Sequence, residues 1–162
     1  MKKYLRQSSL LFYMMDGVDE KIIKALQADS KQSFKDLAKA VGVSETTVFN
    51  RVKKLEREGI IEKYTIKLNL EKFGEWFTAV VAIDLDSGKW IVDVVKKLKD
   101  VENVHAIYDV TGDFDLLVIQ RFKDKNELFE FIRMVSAMPH VAHTMSWMVM
   151  KVFKEDFFCK IS

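Results

Sequence analysis

Residues 41–59, VGVSETTVFNRVKKLEREG, decide how the first half of this chain folds. Ser44 is a side-chain acceptor suited to cap a helix, and Val48, Val52 and Leu55 recur at helical spacing behind it. Gly42 and Gly59 stand on either side as stop signals, because glycine takes the left-handed conformation at a helix end without steric cost. The helix is expected to run to about Glu58. Its outward residues are read as Thr46, Thr47, Asn50, Arg51, Lys53, Lys54 and Arg57.

Upstream, Ser33 and Asp36 form a capping-box pattern. They start a short helix with Phe34, Leu37, Ala38 and Val41 on one side, ended by Gly42. Ala38 is small enough to let the next helix cross closely. Asp16, with Asp19 as its capping partner, opens a further helix carrying Val18, Ile22, Ile23 and Leu26. Two helices joined by a turn of about three residues containing glycine are the helix-turn-helix pattern. The stretch IIEKYTIKLNL (60–70) alternates and is expected to be a strand or small wing, followed by a linker.

Charge is distributed in the same sense. The 162-residue chain carries only +2 overall. Residues 1–72 hold 15 Lys and Arg against 10 Asp and Glu, whereas residues 73–162 hold 11 against 14. The basic half is thus the one with the helix-turn-helix pattern, which suits a polyanion. Arg51 can pair with guanine and Asn50 with adenine in a major groove. Ser44, Thr46 and Thr47 suit base or phosphate contacts at a helix start, and Lys53 and Lys54 suit phosphates. The competing reading is a solvated face, with Lys54 and Glu58 as an ordinary ion pair four residues apart.

The second half has another rhythm. Strands are expected at 76–85, 104–112, 114–122 and 143–153, and helices at 89–101 and 125–138. This βαββαβ order is the ferredoxin-like split arrangement. Two helices cover only one face of four strands, yet apolar residues occupy both faces. Phe77, Ala79, Val81 and Ile83 alternate with Val80 and Ala82, and Leu116 and Val118 with Leu117 and Ile119. The second apolar face calls for a partner, and a second copy of the sheet is the simplest one. The expected fold is α+β, a winged helix-turn-helix followed by a ferredoxin-like βαββαβ effector domain. Its parts are an arm (1–15), a DNA-binding domain (16–64), a linker (65–75), an effector and oligomerisation domain (76–155) and a tail (156–162).

Little else suggests chemistry. Cys159 is the single cysteine, so an intrachain disulfide and a cysteine-based zinc cluster are both excluded, which fits a reducing cytoplasm. The apolar run in MKKYLRQSSLLFYMMDG is too short for a signal peptide, and Met14 or Met15 is an alternative start. His140 and His143 in HVAH do not share a helical face, and His105 is isolated. Asp113 and Asp115 in VTGDFD resemble a catalytic carboxylate pair, but no histidine or nucleophile lies near them in sequence. A ligand site is the better expectation there, with turn amides holding a carboxylate and Asp113 meeting an ammonium group. No catalytic residue, cofactor or metal is assigned, and no membrane span is expected.

With these motifs in place, the chain resembles the Lrp/AsnC, or feast/famine, transcription regulators over about residues 16–155. The resemblance is strongest at DLAKAVGVSETTVFNRVKKLEREGII (36–61) and at VTGDFDLLVI (110–119). It implies dimerisation through the effector sheets and assembly into tetramers, octamers or larger rings. It also implies a pseudo-palindromic double-stranded DNA site and an amino-acid effector bound between effector domains near the glycine–acidic turn. Carried onto this chain, the implied effector residues are Thr111, Gly112, Asp113 and Phe114, with Thr144 and Ser146 across the same interface. The protein would be cytoplasmic and nucleoid-associated. Asn50 departs from the basic residue common in the family, Phe49 is bulkier than usual, and the arm is longer. Two alternatives share the layout: an enzyme resembling sirohaem decarboxylases, for which His105 and Arg121 are the only candidate groups, and an architectural protein that coats DNA with little sequence preference.

Overall fold

The computed structural model describes residues 15–156; the expected arm and tail, and Cys159, lie outside the described residues apart from Met15 and Asp156. The chain divides into two compact units, one reaching to Lys67 and the other spanning Leu68–Glu155.

The first unit is three helices: α1 (Gly17–Ala28), α2 (Phe34–Val41) and α3 (Glu45–Arg57). Each begins where a short polar side chain satisfies free backbone donors. Asp16 accepts from the N–H groups of Val18 and Asp19, Ser33 from Asp36, and Ser44 from Thr47. Gly42 closes α2 at φ 82°, in the left-handed region. Ile22, Leu37, Val48 and Leu55 are completely buried between the helices, with Ala38 and Val41 beside them. Full burial of each large aliphatic side chain is worth roughly 1.5–3 kcal/mol.

Residues 60–70 differ from expectation. Ile60 and Ile61 fold back onto the helical core, and both their N–H groups donate to the Leu55 carbonyl. Residues 62–69 form no strand, and Tyr64, Ile66 and Leu68 are exposed. Alternation marks one apolar side, but a strand also needs a neighbour to satisfy its backbone. Among the described residues no strand pairs with the segment.

The second unit runs β1 (Phe77–Leu85), α4 (Ile91–Leu98), β2 (Val104–Asp109), β3 (Leu116–Phe122), α5 (Lys125–Ser136) and β4 (Val141–Met148). The antiparallel sheet has the order β2-β3-β1-β4. This is the expected βαββαβ arrangement, with ends shifted by a few residues. Ala79, Val81, Ile83, Leu116, Val118 and Phe122 form the helix-covered face, packed under Val94, Leu98, Phe131 and Val135. Val80, Leu117 and Ile119 lie on the opposite face with the more exposed Tyr108, Met145 and Trp147.

At the end where α5 enters β4, His140 takes a positive φ of 72°. Its ring stacks on Trp90 at 3.7 Å between centroids, and its carbonyl accepts from the N–H of Asp86. Among the described residues no helix is long and apolar enough to cross a membrane.

Candidate functional site

Helix α3 is amphipathic by geometry. At about 100° per residue, Asn50 lies nearly opposite the buried stripe of Val48, Val52 and Leu55, flanked by Thr46, Lys53 and Arg57. All four are exposed. Ser44 and Thr47 are partly committed to the helix start: their hydroxyls lie 2.8 Å apart, and Ser44 Oγ accepts from the Thr47 N–H. Lys53 Nζ donates to Glu56 at 2.8 Å, and the Tyr64 hydroxyl donates to the same carboxylate at 3.2 Å. Lys53 accordingly holds Glu56 below its usual pKa, while partial burial, aided by Glu56, raises that of Tyr64. Lys54 is half-buried. Phe49, noted as bulky for its place, packs edge-on against Phe34 at 5.6 Å.

Arg51 requires a correction. It does not project with the outward group; it lies about 60° from Val48 around the helix, on the side facing α1. Its Nη1 meets Asp16 at 2.6 Å and the two oxygens of Asp19 at 3.2 and 3.3 Å. The Asp19 side chain is only 1% exposed. Asp19 therefore serves as a counter-charge of Arg51. The Asp16 carboxyl is held below its ordinary value, first by the Asp19 N–H it accepts and further by Arg51, whose own pKa is raised by the Asp16 hydrogen bond and by Asp19. The sequence signal for this placement is spacing: position 51 is three after Val48 and four before Leu55, at the margin of the buried stripe.

The second candidate is the loop between β2 and β3. Gly112 adopts φ 130°, a conformation that L side chains rarely take. Thr111, Gly112 and Asp113 are exposed and Phe114 half-buried. A shallow concavity of about 570 Å³ is lined by Asp109, Val110, Thr111, Asp113, Phe114 and Leu117. Asp115 belongs to the framework, not to a catalytic pair. Its carboxylate accepts from the Leu85 N–H at 2.8 Å, its own N–H donates to Ile83, and its carbonyl accepts from Val110.

Thr144 and Ser146 do not join this loop within the chain. Register places them opposite Ile83 and Val81, on the helix-covered side of β4. Thr144 Oγ1 lies 3.1 Å from the Ser136 hydroxyl of α5. The β4 residue that meets the loop is Trp147, whose ring stands edge-on to Phe114 at 6.4 Å. Alternation along a strand separates sequence neighbours onto opposite faces, and pairing with β1 decides which goes where.

Of the two groups considered for haem chemistry, Arg121 is engaged elsewhere. Arg121 forms an ion pair with Glu155. Burial, with the nearby Arg121 charge, lowers the His105 pKa against an opposing effect of Glu155. Among the described residues no group of three or more His, Cys, Asp or Glu is placed to hold a metal ion.

Comparison with known proteins matches both units. Residues 15–56 match the AsnC-type helix-turn-helix domain, and residues 78–157 match the Lrp/AsnC ligand binding domain. An HTH-type transcriptional regulator of Pyrococcus abyssi is 38% identical over 144 residues, covering 89% of this chain and 97% of that protein. The transcriptional regulator LrpA of the same organism is 38% identical over 119 residues, covering 74% of this chain and 84% of its own length. Among solved structures, an AsnC family transcriptional regulator from Agrobacterium tumefaciens superposes with a TM-score of 0.79 at 28% identity, covering 90% of this chain and 96% of that one.

Proposed function

This chain belongs to the Lrp/AsnC family of helix-turn-helix transcriptional regulators, not to an enzyme family, and from that premise we propose that it recognises a specific double-stranded operator through the outward face of α3. The observation carrying the proposal is that Thr46, Asn50 and Lys53 stand exposed opposite the core stripe, on a helix whose start is fixed by Ser44. In a major groove, Asn50 offers a donor and an acceptor to adenine, and Thr46 and Thr47 reach the same base edges. Lys53 and Lys54 neutralise phosphates, and the exposed Lys53–Glu56 pair is weak enough to yield to one. This small polar reading head favours sequence preference over uniform DNA coating.

The active species is a homodimer on the open sheet face, assembling further into tetramers or octamers. Two α3 helices then meet a pseudo-palindromic site. An exposed apolar face centred on Met145 and Trp147 supports this reading. The loop at Thr111, Gly112, Asp113 and Phe114 is the effector site, and an amino acid suits it. Turn N–H groups serve the carboxylate and Asp113 the ammonium group. Thr144 and Ser146 contribute only if a neighbouring copy brings its helix-covered strand edge to the loop. An effector alters DNA binding only through its differential affinity for the assembly states. The protein acts in the cytoplasm, on the nucleoid.

Selection from a random double-stranded DNA pool tests the DNA reading. One enriched motif with two-fold symmetry is expected, and Asn50→Ala should relax preference at one position of each half-site. Equal retention of all sequences by the wild type would leave only the DNA-coating alternative. A thermal-shift screen against the twenty amino acids tests the loop: one or a few should raise the melting temperature, and the shift should vanish in Asp113→Ala.

A further inference from the structure

We infer that Arg51 is a positioning residue: through Asp19 and Asp16 it locks α3 to the start of α1, and it acts on DNA by holding Asn50 and Lys53 in place. The inference rests on the DNA-binding role proposed for α3 and changes what this arginine does within it.

Three observations support it. The first is direction: Arg51 sits at the edge of the buried stripe, on the flank that meets α1. The second is commitment. One guanidinium nitrogen serves three carboxylate oxygens at 2.6, 3.2 and 3.3 Å. Guanine recognition needs the planar fork presented bidentately to O6 and N7. Turning Arg51 toward a base would withdraw that nitrogen from both acids. The third is burial. Asp19 is 1% exposed while Arg51 remains 33% exposed. Releasing Arg51 would take a cation away from a buried carboxylate, which costs more than parting a surface pair.

The arrangement also joins two jobs in one carboxyl group. Asp16 Oδ1 accepts from the N–H groups of Val18 and Asp19 and so starts α1, while Oδ2 faces Arg51. The first-turn N–H groups of α1 favour the negative charge of Asp16 there. The crossing of α3 on α1 is thereby fixed at one polar point beside the aliphatic contacts. An arginine used this way controls the aim of the outward face.

Full-length Asp19→Asn, Arg51→Gln and the double variant, measured on DNA enriched by the wild type, test the inference. Positioning predicts that each single variant weakens binding by about tenfold and that the double variant is no weaker than either single. The ranking of DNA sequences stays that of the wild type. Base reading by Arg51 predicts the opposite sign for Asp19→Asn, since the freed guanidinium would hold or raise affinity. It also predicts relaxed preference at one base pair in Arg51→Gln. Either result overturns the inference, as does a double variant whose loss is the product of the two. Asp16→Asn changes an exposed partner, keeps a capping side chain, and covers the case in which Asp19→Asn fails to fold. It should move affinity in the same direction by a smaller factor, and unchanged affinity counts against the lock.

Amide hydrogen exchange gives a readout without DNA. Exchange in α3 should quicken in Arg51→Gln while α5 stays unchanged. If the wild type enriches no DNA, the DNA-binding proposal fails. Exchange then decides the lock alone, and unaltered α3 protection in Arg51→Gln overturns it.

Discussion

Asp16, Gly42 and Arg51 show how much and how little one residue type reveals. Gly42 was legible because its task is local: a helix must end there, and φ 82° suits glycine. Gly42→Ala should cost about 1 kcal/mol, the penalty of a left-handed alanine, measurable as a lower denaturant midpoint with unchanged slope. Asp16 was legible as a cap but not as a counter-ion, since Arg51 lies far along the chain. Its pKa is depressed in the folded state. The stabilisation it gives is therefore complete above its ordinary value of 3.8 and is lost as pH falls through the lower folded value. An acid titration followed by Asp16 side-chain NMR should place the midpoint below 3.8, and Asp16→Asn should flatten the acid limb of the stability curve. His105 also has a depressed pKa, so folding stability from this group is present above 6.5 and declines as pH drops below it. His105→Gln should remove that share of the pH dependence in urea melts at pH 5 and pH 8.

Elements were recovered where periodicity and capping agree, and missed where a partner decides. Helix α3 carries its own start, stripe and stop, so its bounds follow from seven or so residues. Ser44→Ala removes the acceptor for the Thr47 N–H and should cost about 1 kcal/mol, seen as a lower thermal midpoint and faster exchange in the first turn of α3. Strand β4 is different. Its alternation is plain in the sequence, but only the register with β1 shows that Thr144 and Ser146 face the helices while Met145 and Trp147 face away. The 60–70 segment is the extreme case, with a strand-like pattern and no strand beside it among the described residues. The loop at 110–115 was legible as a turn through Gly112, whereas the structural use of Asp115 depends on Leu85 and Ile83, thirty or so residues earlier.

For the molecule as a whole, composition pointed to two units, and the order of elements named both folds. What stayed hidden was how the open sheet face is used, because the proposed cover is a second copy of the chain. Trp147→Arg should shift sedimentation from dimer or larger species to monomer at micromolar concentration and leave far-UV circular dichroism intact. Persistence of the wild-type sedimentation coefficient would place the assembly surface elsewhere.

The three tryptophans have very different neighbours. Trp76 lies beneath the Lys123 ammonium, Trp90 is stacked face to face on His140, and Trp147 meets Phe114 edge-on at the open sheet. Intrinsic fluorescence of this protein is therefore a sum of three separate reporters. Covering Trp147 at the open sheet should shift its emission to the blue, whereas Trp90 keeps its stacked partner His140. A version keeping only Trp147 would turn one crowded spectrum into an assembly signal, read without a label.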